Sequence, residues 1–253
     1  MIKLVNLLRE SKQGPKAIFL AGPAGAGKSF IGKQIIPGGK FNVINSDDTY
    51  EELLKASGLG MKQKDFGPEE LSQAAKLQAQ AQKATKEKYS QALENRHDII
   101  IDGTGAAANP LLKKKAELEE LGYDTFMVMI YVSPMTSLER NADRDRSLMP
   151  SIVLRTWRDV NKNIQTYEQA FKNNFILLNN DPTGADKSFD PAIVKRRFFD
   201  TSTGKGKEKT PEETMKRAQE AAELNQSIVD ILKSEPEAID NSQARAKIQA
   251  FIG

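Results

Sequence analysis

A chain of 253 residues can bury one substantial core and stands near the length at which a second small domain is expected. With 39% hydrophobic and 28% charged residues it has an ordinary globular composition that excludes global disorder, and a net charge of +3 does not by itself call for a nucleic-acid partner. Zero cysteines and one histidine, His97, exclude disulfides, thiolate or histidine-cluster metal sites and a cysteine nucleophile, and they fit a reducing, cytoplasmic compartment.

The first apolar run, Met1 to Leu8, is too short for a signal peptide and is read as a short amphipathic helix over residues 1–16, ended by Gly14-Pro15. No later run reaches the roughly 18 apolar residues of a membrane span. Strands are expected at Ala17–Ala21, Asn42–Asn45, Asp98–Ile101, Thr125–Val132 and Phe175–Leu178. They lack in/out alternation, as strands of a parallel sheet covered on both faces do. Between them helices are expected at Lys28–Gln34, at Pro68–Glu94, from Asn109-Pro110 to Gly122, and with interruptions from Ser133-Pro134 through Tyr167. The main domain is therefore placed at 17–181. A helical appendage follows at 182–253, with a flexible-looking basic stretch near 200–209, a capped helix opening at Thr210-Pro211 and a last helix at Ser242–Phe251.

Directly after the first strand, Gly22-Pro-Ala-Gly-Ala-Gly-Lys28-Ser29 matches the phosphate-loop pattern G-x-x-x-x-G-K-[ST] in full. Backbone N–H groups wrap a triphosphate only where side chains do not obstruct them, and a helix N-terminus adds its positive dipole end. The nucleotide-contacting set is then Gly22, Ala24, Gly25, Ala26, Gly27, Lys28, Ser29 and Phe30, for ATP or another nucleoside triphosphate. Lys28 meets the outer phosphates and Ser29 offers a hydroxyl to Mg²⁺.

Ligands of open α/β sheets sit beyond the carboxyl ends of the strands, and two of the runs end in carboxylates. Asp47-Asp48 follows the second strand and Asp102-Gly103-Thr104 the third. Asp47 is the candidate base for an acceptor hydroxyl, the alternative for this pair being a helix cap and a first-turn acid. Asp102 has two open duties, holding Mg²⁺ through water or hydrogen-bonding the acceptor. Arg140 and Arg144 lie four apart on one helix face, fit either for a lid on the phosphates or for an exposed helix paired with Glu139 and Asp143. The cluster Lys195-Arg-Arg-Phe-Phe199 with Lys205, Lys207 and Lys209 either grips a phosphate backbone or docks its phenylalanines while the lysines stay solvated. Trp157 and Tyr167 are read as core.

Four blocks in one order, the phosphate loop, Ile44-Asn-Ser-Asp47-Asp48, Ile101-Asp102-Gly-Thr104, and Arg140-Asn-Ala-Asp-Arg144 with Met149-Pro-Ser-Ile-Val-Leu-Arg155, resemble the P-loop kinases that include the bacteriophage polynucleotide 5′-hydroxyl kinase and the zeta-toxin kinases. The resemblance spans about Ala17 to Asp181. It implies a P-loop NTPase fold with a five-stranded parallel sheet of order 2-3-1-4-5, Asp47 as general base, Arg144 as lid arginine assisted by Arg140, and Asp48, Asp102 and Thr104 on the acceptor side. It also implies an ATP-dependent kinase acting on a nucleic-acid or nucleotide-type hydroxyl, with a nucleotide-sugar kinase or an NTPase module as alternatives. Tyr50 stands where the polynucleotide kinase has an arginine that holds the acceptor's own phosphate.

Overall fold

The apolar runs form a parallel sheet covered on both faces, with only the edge run at Asn42–Ile44 leaving a large apolar side chain, Val43, exposed. In the computed structural model, which describes residues 14–35, 41–61, 66–144, 147–181, 210–234 and 241–252, the strands are β1 (Lys16–Ala21), β2 (Asn42–Ile44), β3 (Ile99–Asp102), β4 (Asp124–Tyr131) and β5 (Phe175–Asn179). They are ordered β2-β3-β1-β4-β5 and every pair is parallel, the order the resemblance implies. The expected helix in the first residues and the basic cluster at 195–209 lie outside the described residues.

Along β1 the side chains divide by alternation. Ala17, Phe19 and Ala21 join a core with Trp157, Tyr167 and Phe171, whereas Ile18 and Leu20 face Ile31, Phe126, Val128 and Ile248 on the opposite side of the sheet. Helix α1 (Lys28–Ile35) follows β1 directly, and α2 (Ser46–Ser57) follows β2. The long α3 (Pro68–Glu94) exposes most of its polar surface and buries a stripe at Ala74, Ala81 and Ala92. Helix α4 (Ala108–Glu120) links β3 to β4. The interrupted helical stretch resolves into α5 (Pro134–Ala142), α6 (Pro150–Asn161) and α7 (Ile164–Phe171). Trp157 and Tyr167 are fully buried, as read from the sequence; the Trp157 indole donates to the Val132 carbonyl at 2.8 Å.

The C-terminal part is helical, with α8 (Pro211–Ser234) and α9 (Asn241–Ile252). Ala218, Ala221 and Ile228 of α8 enter the core that holds Trp157, and Ile248 of α9 enters the core on the other face. Arg158 of α6 pairs with Glu220 at 2.5 Å, Arg217 donates to the Ser151 carbonyl at 2.9 Å, and the buried Tyr131 hydroxyl donates to Asn225 Oδ1. No helix among the described residues is long and apolar enough to cross a membrane.

Candidate functional site

The strand order reverses at β1, between β3 and β4, which opens a crevice at the carboxyl end of β1. The phosphate loop fills that position. Gly25 and Gly27 have φ of 74° and 83°, the left-handed region that favours glycine. A Cβ on Gly25 would also meet the Ser137 carbonyl at 2.9 Å, and one on Gly27 the Asn180 amide nitrogen at 2.6 Å.

Those close neighbours tether the loop from behind. Ser137 Oγ donates to the Ala24 carbonyl at 2.5 Å, Arg140 Nη1 to the Gly25 carbonyl at 3.1 Å, and Asn180 Nδ2 to the Ala26 carbonyl at 2.8 Å. Three consecutive carbonyls are thus drawn toward α5 and the end of β5. Arg140 Nη2 also donates to the Asn180 carbonyl, which joins the two tethers. The tethering residues are held in turn, since Asp181 accepts from the Ser133 backbone N–H at 2.9 Å and from Thr136 Oγ1 at 2.7 Å, fixing the start of α5 against the end of β5.

Opposite the loop, Asn45 joins the two acidic strand ends. Its Oδ1 caps α2 by accepting the Asp47 N–H at 2.8 Å, and its Nδ2 donates to Asp102 Oδ2 at 3.0 Å. The cap of α2 is therefore Asn45, and Asp47 and Asp48 are exposed acids of the first turn. Asp102 Oδ1 is buried without a hydrogen-bond partner. Burial raises the Asp102 carboxyl above the usual range, opposed by Lys28 and reinforced by Asp48 and Asp47. Burial lowers the Lys28 ammonium below its usual range, opposed by Asp102, and Lys28 Nζ donates to the Gly22 carbonyl at 2.9 Å. An unpartnered carboxylate oxygen near the Lys28 ammonium, with the Ser29 hydroxyl on the same cleft, fits a hard cation shared with phosphate oxygens.

The β3–α4 connection is fixed by α7. Gly22 donates its N–H to the Thr104 carbonyl at 3.0 Å, and the Gly105 carbonyl accepts from the Tyr167 hydroxyl at 2.7 Å and from Asn163 Nδ2 at 3.1 Å. Burial pushes the Tyr167 phenol up to about 12, so it stays a donor at any ordinary pH.

The cleft measures about 590 Å³. It gathers Gly25 to Phe30, Asp47, Asp48, Asp102, Thr104, Arg140 and Arg144, every expected site residue except Gly22 and Ala24, which form the loop's inner side. Phe30 is 56% exposed at this cleft. Arg144 is exposed, just past the end of α5, on a loop that Asn141 closes by exchanging two hydrogen bonds with the Leu148 backbone. Helix α5 is buried along Pro134–Leu138 and at Asn141, the Arg140 guanidinium donates to the Gly25 and Asn180 carbonyls, and Ala142, Asp143 and Arg144 are exposed. Sequence reasoning missed Asn45 and Ser137 as parts of the site, and Glu51, which also lines the cleft; it placed Asn180 only beside the nucleotide base, not as a tether of the phosphate loop. Asn45 stood in the motif block beside Asp47, but nothing local marked its partner 57 residues away.

Among solved structures the chain is similar to a chain of the AvrRxo1-ORF1:AvrRxo1-ORF2 structure with sulfate ions, with TM-score 0.54 and 13% identity over 85% of this chain and 80% of that one. It is also similar to a structure from the PezAT chromosomal toxin-antitoxin system of Streptococcus pneumoniae, with TM-score 0.44 and 19% identity over 67% and 70% of the two chains. A shikimate kinase from Acinetobacter baumannii in complex with shikimate gives TM-score 0.37 and 16% identity over 88% and 95%. No curated protein matches the sequence. The family model described as Zeta toxin matches residues 5–180, which takes in all five strands, the phosphate loop and both acidic strand ends. The chain belongs to the zeta toxin family.

Proposed function

We propose that this chain is an ATP-dependent kinase that transfers the γ-phosphate to a hydroxyl of a nucleic-acid or nucleotide-type acceptor. The observation that carries the reading is the meeting, in one open cleft, of a tethered phosphate loop with an exposed carboxylate from a neighbouring strand end. An NTPase that only positions a water needs no such cavity beside Asp47. Membership of the zeta toxin family supports a phosphotransferase of this type.

In this reading the loop amides from Gly25 to Ser29 and the Lys28 ammonium hold the β- and γ-phosphates. Ser29 and Asp102 would hold Mg²⁺, which when bound would supply positive charge against the phosphates. Asp47 orients the acceptor hydroxyl and takes its proton as the oxygen bonds to the γ-phosphorus and the bond to the β–γ bridging oxygen breaks, releasing ADP. Arg144 stabilises charge on the transferring group, and Arg140 acts by holding Gly25 in place. Asp48 and Thr104 flank the acceptor.

The test is transfer from γ-labelled ATP with Mg²⁺ to 5′-hydroxyl DNA and RNA, nucleosides and nucleotide sugars, with Asp47→Asn alongside. Label on an acceptor, reduced about 10²-fold or more in the variant, is the expected result. Free phosphate alone, released equally by both proteins, sinks Asp47 as base and leaves an NTPase.

A further inference from the structure

Gly103 lines the cleft between Asp102 and Thr104 and is exposed, yet nothing inside the protein calls for a glycine there. Among the described glycines it alone combines two properties: an added Cβ would meet nothing within 4 Å, and its φ is not positive. Neither a close approach within the fold nor a left-handed backbone therefore excludes a side chain at this position. Gly105, two residues on, gives the contrast, with φ of 73° and a Cβ that would meet Ala21 Cβ at 2.6 Å.

Nor does the loop use the space for movement of its own, because it is pinned from both sides. The Gly103 N–H donates to the Leu20 carbonyl at 3.1 Å and the Gly22 N–H to the Thr104 carbonyl at 3.0 Å, which stitches the loop to β1 and the phosphate loop. From the other side the buried Tyr167 hydroxyl holds the Gly105 carbonyl, and the buried Asn163 amide reaches the carbonyls of Gly105 and Ala106, both at 3.1 Å. Gly103 is thus a fixed strip of bare backbone, the form that glycine gives a site where a ligand comes close to the main chain. The sheet order β2-β3-β1 puts it, at the end of β3, between the phosphate loop that follows β1 and the Asp47 that follows β2. An acceptor hydroxyl in line with the γ-phosphate and in reach of Asp47 has to stand in that interval.

We propose that Gly103 is a specificity-determining position, its bare backbone being the surface against which the sugar that bears the acceptor hydroxyl lies. This rests on the phosphotransferase reading and deepens it. The missing side chain acts on acceptor binding, whereas the donor nucleotide, held by the phosphate loop and Lys28, does not depend on it.

The experiment compares wild-type protein with Gly103→Ala and Gly103→Leu. Label transfer from γ-labelled ATP is followed to whichever of 5′-hydroxyl DNA, 5′-hydroxyl RNA, nucleosides and nucleotide sugars takes most label, and ATP affinity and Tm are measured on the same proteins. The acceptor KM is expected to rise about tenfold in Gly103→Ala and further in Gly103→Leu, with ATP affinity within about twofold of wild type. Tm is expected not to fall in Gly103→Ala, since its Cβ meets nothing and its φ is not positive. An acceptor KM unmoved in both variants overturns the inference while the kinase reading stands. A loss of ATP affinity that matches the rise in acceptor KM assigns the space to the donor and overturns it too, as does a lowered Tm in Gly103→Ala, which would make the glycine a need of the fold. No label on any acceptor with the wild-type protein, and phosphate released only to water, ends both readings.

Discussion

Lys28 and Asp102 are coupled through a buried corner of the cleft, and the coupling has a sign that pH can read. Burial lowers the lysine and raises the carboxyl, while the charge of each acts against the shift of the other. Lys28 must be protonated to hold phosphate, so nucleotide affinity is lost as pH rises through its lowered value. Replacing Asp102 with Asn removes the group that raises Lys28, and the alkaline limb of ATP binding, measured without Mg²⁺, is expected to move to lower pH. An unmoved limb would show that the two groups are not electrostatically linked. Asn45 makes the same corner a matter of geometry, since one side chain both caps α2 and holds Asp102 Oδ2. The carboxylates were legible in the sequence because they end apolar runs; the amide joining them was not, because its second partner lies on another strand.

At the scale of elements, the strands and most helices could be read because each signal is local. Pro68, Pro134 and Pro211 open helices where a missing N–H costs nothing, and Gly122, with φ of 80°, follows the end of α4. Helix α2 was not read as an element, since its interior side chains, Tyr50 and Leu54, find their partners on α3 rather than on the sheet. The loop tethers from Ser137, Arg140 and Asn180 were equally hidden, each joining residues more than a hundred positions apart.

Asn141 belongs with these hidden supports. It is 3% exposed, and its two bonds to Leu148, at 2.8 and 3.0 Å, close the loop that carries Arg144. Asn141→Leu is expected to lower kcat for transfer about 10- to 100-fold with little change in ATP affinity, because a misplaced guanidinium weakens the transition state more than the ground state. Asn141→Asp keeps the acceptor for the Leu148 N–H and should recover part of the rate. Full activity in Asn141→Leu would show that Arg144 does not depend on this closure.

For the whole molecule, the question is how tightly the C-terminal helices belong to the catalytic core. Helix α8 answers at Asn225, which is 6% exposed and accepts from the fully buried hydroxyl of Tyr131 in β4. That bond ties the last residue of a central strand to a helix 94 positions later, under the same core that holds Trp157. Removing one partner leaves the other buried and unsatisfied, at a cost of about 1–3 kcal/mol. Tyr131→Phe is therefore expected to lower Tm by roughly 3–10 °C. The double variant Tyr131→Phe with Asn225→Leu replaces both polar groups with apolar ones and is expected to regain much of the loss. Calorimetry of the full chain reads both outcomes. If α8 is merely appended, Tyr131→Phe shifts nothing and the double variant is no better than the single one. If it is part of the core, both variants unfold in one transition, and the C-terminal helix cannot be released without disturbing β4, the strand that runs beside β1 and leads into α5.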